Sequence, residues 1–461
     1  MDFQRALLAV CFIGLAGAEN VFQTWADSAF KLVNDDCQNC DLKKSDFYVY
    51  AVSPTTTSVK YKTFVADGSG RRTGKHDAVL VLDPAPAKRF GHELYMFFID
   101  GNHTAETCGN TRGTVLLEDG QCLQQWVREM CHRRAPKRRG GCKLLFLPEV
   151  RLENSQNDSL VCIPDLEGFN GECPTMIKHR ISSGCDPLET NSKFCDTTNY
   201  IKTECAFMQT CDHAVLISGG WNRKMSDERS IKNLRTINTL LLRSGFNQNN
   251  LRIFFANGLD SSYEEYEDLG DVYPSSIKLA IRYHIRTLCE TKRCADSIVI
   301  YLNSPSLPDG SLLLWDSNND GVHDEGEIYS IRDFFRDIVK CSATRLIILV
   351  DQSYGGEMVR AAHRHSNDMQ NVIIIGVKVN DSRDSMINSL SNMTASTCLS
   401  DIYDSVEDVK YKGTAQGLLN GTIYGAPCTN EQDYQKYFGC QNLSTLELIE
   451  SEETLDADEQ R

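Results

Sequence analysis

Five short apolar runs in the second half of the chain each end in a turn, and amphipathic segments separate them. Unbroken runs of this kind are typical of strands that are buried on both faces of a sheet. Between the first two runs, isoleucines and leucines recur at helical spacing from Ser226 onward, and Gly245 follows as a stop. Strands that alternate with helices predict a parallel sheet covered by helices on both faces. The runs occupy residues 214–217, 251–256, 297–302, 346–350 and 372–377.

The first part of the chain has a different pattern, in which β-branched and aromatic runs are separated by turn-rich segments. This pattern is typical of antiparallel strands. We therefore predict a disulfide-bearing all-β domain over residues 19–155, with a sandwich as the default architecture. Ligand binding and partner docking are both open as its role. The runs occupy residues 47–52, 59–65, 78–82 and 94–99.

The fourth apolar run leads directly into Asp351-Gln352-Ser353-Tyr354-Gly355-Gly356. In open α/β sheets, chemistry is found at the carboxyl ends of the strands. The stretch resembles the nucleophile strand of caspase-like and legumain-like cysteine peptidases, and the resemblance covers residues 212–408. Residues 380–385 are similar to the loop after the last strand of legumain-type peptidases. The resemblance implies an α/β caspase-hemoglobinase-like domain in which Ser353 stands at the position of the catalytic cysteine.

The family also carries a catalytic histidine at the tip of its third strand, within Asp-His-Gly. Here the third run ends in Asn303-Ser304-Pro305, so Ser304 or Pro305 stands at the histidine position. A Cys–His mechanism needs a nucleophile and a base within hydrogen-bond reach. We therefore expect a non-catalytic pseudopeptidase. The alternative is an active hydrolase that uses Ser353 with a distant histidine, or another nucleophile.

Residues 316–327 match a twelve-residue calcium loop, with glycine at position six and glutamate at position twelve. Calcium prefers oxygen ligands, and Gly321 permits the bend that gathers them. We expect a strand before the loop, at residues 312–315, a helix starting near Glu327, and a single structural site. The alternative is a solvated turn. The predicted ligands are Asp316, Asn318, Asp320, the Val322 carbonyl, Asp324 and Glu327.

The N-terminus predicts a secreted protein. Residues 1–18 have a short charged start, an apolar core and Ala-x-Ala, as in a signal peptide. Removing Cys11 with this segment leaves 18 of the 19 cysteines, an even number that favours disulfides. We expect no membrane span, and no nucleic-acid partner for a chain of net charge −15. N-glycosylation sequons stand at Asn102, Asn157, Asn380, Asn392, Asn420 and Asn442.

The remaining segments carry predictions about linkers, surface contacts and disulfides, and none is predicted to be catalytic. Residues 156–211 are a cysteine-rich linker, and residues 409–461 are a C-terminal extension with an acidic, disordered tail. The basic loop from Arg133 to Arg139 indicates a solvated loop, a proprotein-convertase site or contact with a sulfated glycan. Cys37 and Cys40 favour a structural bridge over zinc or redox chemistry. We expect an extracellular protein or matrix partner.

Overall fold

The computed structural model of the 461-residue chain places two compact units. The first, here the β unit, comprises residues 1–88, 92–175 and 318–323; the second, here the α/β unit, comprises residues 89–91, 176–317 and 324–461. The residues that the structure describes are 21–35, 41–53, 59–64, 74–84, 94–109, 113–126, 146–155, 160–175, 211–223, 225–226, 228–258, 268–291, 295–364, 369, 371–376, 386–394, 396–405, 409–412, 419–425 and 428.

The β unit contains two antiparallel sheets. One has six strands in the order β6-β7-β5-β4-β1-β9, and the other has three strands in the order β3-β2-β8. All four apolar runs predicted as strands in this part of the chain form strands. The strands are β1 (Phe47–Ala51), β2 (Tyr61–Phe64), β3 (Lys75–His76), β4 (Ala78–Pro84), β5 (Tyr95–Asp100), β6 (Thr114–Leu116), β7 (Cys122–Gln125), β8 (Glu149–Leu152) and β9 (Val161–Cys162).

The β unit also contains helices, which the all-β prediction missed. Helix α1 covers residues 21–35, and α2 covers Ala105–Cys108. On α1, Phe22, Trp25, Ala29 and Val33 are buried. Their spacing is that of one helical face, so the periodicity was present in the sequence. The prediction for this segment was wrong because the strand pattern farther along was extended back to the start.

The α/β unit is built on one seven-stranded sheet in the order β12-β11-β10-β13-β16-β17-β18. Neighbouring strands are parallel, except that β18 runs antiparallel to β17. Strands β14 and β15 form a separate antiparallel pair. The strands are β10 (Cys211–Ser218), β11 (Leu251–Phe255), β12 (Val272–Tyr273), β13 (Ala295–Leu302), β14 (Leu312–Leu313), β15 (Ile328–Tyr329), β16 (Arg345–Val350), β17 (Val372–Gly376) and β18 (Val409–Lys412).

Helices cover both faces of this sheet, as predicted. Side chains of α4, α5 and α6 pack with one set of alternate strand residues, and side chains of α3, α7 and α8 pack with the other set. Strand residues on both faces are buried, which explains why the strands are apolar without interruption. The helices are α3 (Glu228–Arg243), α4 (Lys278–Glu290), α5 (Ile331–Ile338), α6 (Gly355–Arg364), α7 (Met386–Ser391) and α8 (Leu399–Ser405).

Disulfides occur in both units. The described pairs are Cys108–Cys122 and Cys162–Cys173 in the β unit, and Cys289–Cys341 and Cys398–Cys428 in the α/β unit. The predicted signal peptide, the Cys37/Cys40 pair, the basic loop, most of the cysteine-rich linker and the acidic tail lie outside the described residues. Within the described part of the chain, no helix is both long enough and apolar enough to cross a membrane.

Candidate functional site

Ser304 and Ser353, which the sequence analysis singled out, lie where neighbouring strands of the seven-stranded sheet end. Strands β13 and β16 are parallel neighbours, with Leu302 paired to Val350. The backbone N–H of Asp351 donates a 2.8 Å hydrogen bond to the Leu302 carbonyl, which extends the pairing past the strand ends. Ser304 and Ser353 follow these ends by two and three residues, so the fold brings them to the same carboxyl edge.

Ser353 is enclosed at this edge. Its residue is 2% exposed, and its carbonyl accepts a hydrogen bond from the hydroxyl of Ser306. Among the described residues, no hydrogen bond joins Ser353 Oγ to a histidine, aspartate or glutamate. A serine nucleophile needs such a base to lose its proton. Among the residues that the structure describes, Ser353 Oγ has no such base as a hydrogen-bond partner.

The two candidate histidine positions have backbone roles. Ser304 is fully buried, and its Oγ accepts a 2.6 Å hydrogen bond from the backbone N–H of Gly219. The carbonyl of Pro305 accepts a 2.8 Å hydrogen bond from the N–H of Leu313. Both residues thus connect the end of β13 to neighbouring segments, and neither carries a group that transfers protons at neutral pH.

The segment 305–316, here called the edge loop, packs directly against the start of the turn after β10. A Cβ atom added to Gly219 would lie 2.0 Å from the carbonyl oxygen of Leu313, so only glycine fits there. The N–H of Trp221 donates to the Leu314 carbonyl at 3.3 Å, and the N–H of Asp316 donates to the Trp221 carbonyl at 2.7 Å. The chain's own backbone therefore occupies the space beside the carboxyl edge of β10.

The described histidines of the α/β unit lie elsewhere. His213 is buried near the amino end of β10, the edge of the sheet opposite Ser353. His284 is buried in the middle of α4, where its ring packs 6.1 Å from the ring of Phe254. His363 is exposed in the last turn of α6, about 12 Å along the helix from its first residue at about 1.5 Å per residue. His365 lies outside the described residues.

A buried polar network lies beside Ser353, and sequence reasoning did not find it. The hydroxyl of Tyr301 donates to a carboxylate oxygen of Asp351 at 3.0 Å, and the Asn303 amide donates to the Tyr301 oxygen at 2.9 Å. Burial, and secondly the Asp351 charge, raise the pKa of Tyr301 well above its usual value. Tyr301 therefore stays protonated and cannot serve as a base. The sequence shows a tyrosine inside an apolar strand. It does not show which strand lies beside that tyrosine.

The predicted calcium loop is described along its whole length. The Glu327 carboxylate accepts backbone N–H groups with both oxygens, from Ser317 at 2.7 Å and from Asp324 at 3.0 Å. Asp320 accepts from the N–H of Val322 at 2.8 Å. Carboxylate and amide oxygens of this kind are the ligands that calcium prefers.

The elements around this loop agree with the sequence only in part. Strand β14 precedes it, as predicted, but the helix predicted near Glu327 is wrong. A 3-10 turn at Glu325–Glu327 leads into β15, and α5 begins later, at Ile331. Ile328 and Tyr329 pair with β14 as a strand, so no α-helix begins at Glu327. Within the described residues, no three or more His, Cys, Asp or Glu side chains are grouped so that they could hold a metal ion.

Three predicted glycosylation sites lie among the described residues. Asn102, Asn392 and Asn420 are all exposed, which attachment of a glycan requires. Asn102 adopts a positive φ of 62° in a turn between β5 and α2. Asn157, Asn380 and Asn442 lie outside the described residues.

Comparisons of the chain with protein-family models, with curated proteins and with solved structures found no match. The function of the chain is therefore argued from its own residues.

Proposed function

We propose that the chain is a secreted, non-catalytic glycoprotein of the caspase/legumain-like type, a pseudopeptidase. It carries a structural calcium loop and acts through extracellular binding partners. The observation that carries the proposal is the state of Ser353, which stands at the nucleophile position, is 2% exposed and has no described base at its hydroxyl.

The sheet supports the comparison with these peptidases. In the family, the nucleophile and its histidine follow two strands of one sheet. Here the corresponding strands, β16 and β13, are parallel neighbours, and both matched positions lie at their carboxyl ends. This position at neighbouring strand ends supports interpreting Ser353, and Ser304 or Pro305, as replacements of the catalytic pair. An arrangement that keeps the sheet but replaces both reactive groups favours a scaffold over an enzyme.

The edge loop supports the same proposal by its position. A peptidase must admit an extended peptide beside its nucleophile. Here Gly219 is in backbone contact with the edge loop, and Leu313 and Leu314 of that loop are fully buried. Opening this edge would expose apolar side chains at a cost of roughly 1.5–3 kcal/mol each. The burial of these leucines therefore favours a closed edge.

Secretion is supported by the disulfides and the exposed sequons. Disulfides persist in oxidising compartments, and four pairs join described cysteines. Asn102, Asn392 and Asn420 are accessible to the glycosylation machinery. Calcium is proposed from the oxygen-bearing side chains that residues 316–327 place at the spacing of a calcium loop. Its role there would be to neutralise the carboxylates and stiffen the loop.

A cleavage assay tests the proposal. The purified mature protein is incubated with a peptide library, with calcium and with a chelator, and the products are identified by mass spectrometry. We expect no cleavage above the level of the Ser353→Ala variant. Calcium-dependent or calcium-independent cleavage that disappears in Ser353→Ala would favour the active hydrolase instead.

A further inference from the structure

An open cleft of about 560 Å³ lies on the surface of the α/β unit, between the first turns of α5 and the outer face of α6. Its apolar lining is provided by Ile331 and Phe335 of α5 and by Ala361 of α6. The volume is within the range of about 300–1,000 Å³ that is typical of ligand-binding sites. The cleft is thus large enough to accept several side chains of a bound molecule.

Two arginines give the cleft a free positive charge. Arg332 and Arg364 both line it and are both exposed. Among the described residues, neither arginine has an ion-pair partner. Arginine side chains bind carboxylates through a planar fork of donors, so two of them without a partner favour an acidic ligand.

The acidic residues at the cleft do not cancel this charge. Glu357 forms an ion pair with Arg360, which is not part of the lining, and so is already neutralised. Asp309 accepts the backbone N–H of Ser311 at 2.9 Å and is exposed. Among the described residues, Asp309 is thus the one acidic lining residue without an ion pair, and it opposes two arginines that have none.

The start of helix α5 adds to this potential. Ser330 caps the helix by accepting the N–H of Asp333 at 3.1 Å, and Ser330 lines the cleft together with Ser311. The N-terminus of a helix carries a partial positive charge, which attracts anions. A bound carboxylate would thus meet the side chains of Arg332 and Arg364 beside the first turn of α5.

We propose that this cleft binds a short acidic peptide segment of an extracellular partner, with carboxylates at Arg332 and Arg364 and an apolar side chain against Ile331 and Ala361. The two arginines favour carboxylates as ligands. The apolar lining favours an apolar side chain, which a simple inorganic anion lacks. The inference rests on the proposed function, because it names the chemistry of the partner through which a non-catalytic chain acts.

A fluorescent peptide tests the proposal. The probe is a ten-residue peptide that carries four glutamates and three leucines, and its control has glutamine in place of every glutamate. Binding to the full-length, disulfide-bonded protein is measured by fluorescence anisotropy at low and high salt. We expect saturable binding of the acidic probe, weaker binding at high salt because exposed charges are screened, and no saturable binding of the glutamine control.

Matched variants locate the binding site. Arg332→Gln and Arg364→Gln should each weaken binding about five-fold, the limit of an exposed ion pair, and the double variant should weaken it more. Ala361→Tyr should also weaken binding, because the larger side chain fills the cleft without changing its charge. The control is Arg223→Gln, which removes an exposed arginine outside the cleft and should leave binding unchanged. Far-ultraviolet circular dichroism confirms that each variant is folded.

The outcomes separate this inference from the proposed function. Binding that depends on Arg332 and Arg364 supports the cleft, and the mass of the recovered peptide shows whether it was cut. A cut peptide would overturn the non-catalytic proposal alone. Absence of saturable binding, or binding that is equal in the double variant and in wild type, would overturn the cleft as a peptide site and leave the pseudopeptidase proposal standing.

Discussion

Ser304 accepts a 2.6 Å hydrogen bond from the backbone N–H of Gly219 through its hydroxyl oxygen. Ser304 is one of the two candidates for the position of the peptidase histidine, and Gly219 follows β10, the strand beside β13. The hydrogen bond joins the carboxyl ends of these two strands. Ser304 therefore has a structural role at this edge of the sheet.

Gly219→Ala should destabilise the protein severely. The new Cβ would lie 2.0 Å from the Leu313 carbonyl oxygen and 2.6 Å from that of Leu314, so the backbone of the edge loop would have to move. We expect a loss of about 3 kcal/mol or more in the free energy of unfolding, measured by chemical denaturation. The matched control is Gly326→Ala, where an added Cβ has no neighbour within 4 Å. Equal stability of the two variants would contradict the contact between Gly219 and the edge loop.

Asp337→Asn should be strongly destabilising because it removes the centre of a buried ionic network. The Asp337 side chain is fully buried and accepts from Arg282 at 2.7 Å, from Arg286 at 2.5 Å and from the Tyr329 hydroxyl at 2.8 Å. Removing one partner of such a network leaves buried charge uncompensated and costs about 3–5 kcal/mol.

The control for this prediction is an exposed ion pair. Asp268 pairs with Arg235 at 2.8 Å, and their side chains are 51% and 42% exposed. Asp268→Asn should therefore change the free energy of unfolding by less than about 1 kcal/mol. If both substitutions have the same small effect, the Asp337 network does not stabilise the fold as argued.

Asp212 should make the chain less stable as pH rises from about 4 to about 7, because its pKa is raised in the folded state. Burial, and secondly the nearby Asp296 charge, raise the pKa of Asp212 from 3.8 to about 7. The folded state therefore binds a proton that the unfolded state releases between about pH 4 and pH 7, so stability decreases with rising pH in that window. Arg345 and the N–H of Ser297 oppose the shift without cancelling it.

Asp212→Asn keeps the acceptor for Ser297 and removes the titration. In the variant, the decrease in the free energy of unfolding between pH 5 and pH 7.5 should be smaller than in wild type by a few kcal/mol, at about 1.4 kcal/mol per pH unit. Chemical denaturation at the two pH values provides the comparison. The same decrease in wild type and variant would mean that another group is responsible.

Calcium should stabilise the chain through residues 316–327. An ion that binds only the folded loop adds RT ln(1 + [L]/Kd), about 2.7 kcal/mol at a hundred times Kd. Glu327→Gln should remove most of that gain, since it deletes the charged ligand and keeps its shape. The thermal midpoint is compared in calcium and in chelator for both proteins. Identical midpoints for wild type, with no metal found by elemental analysis, would show that the loop is only a turn.

The sequence predicted most of the α/β sheet because its strands are buried on both faces. The runs at 297–302 and 346–350 correspond to β13 and β16, since complete burial requires apolar residues without interruption. Strands β12 and β18 were missed. The two residues of β12 are only half-buried, and a strand that short leaves no readable period.

The interior of the candidate site could not be predicted, because it depends on which strands are neighbours. Tyr301 and Asp351 are 50 residues apart in the chain and are joined by the parallel pairing of β13 with β16. Ser353, which is buried, likewise contacts the edge loop through the hydroxyl of Ser306, 47 residues earlier in the chain. Local patterns predict elements, whereas these contacts follow from pairing and register.

Reactivity of Ser353 toward a fluorophosphonate probe tests the central claim most directly. The native mature protein is incubated with an excess of the probe, and its intact mass is measured beside the Ser353→Ala variant and an active serine hydrolase. A buried serine without a base should form no adduct. After incubation, the masses of wild type and variant should therefore differ only by the mass change of the Ser353→Ala substitution. A stoichiometric adduct on wild type that is absent from Ser353→Ala would show an activated nucleophile and contradict the pseudopeptidase account.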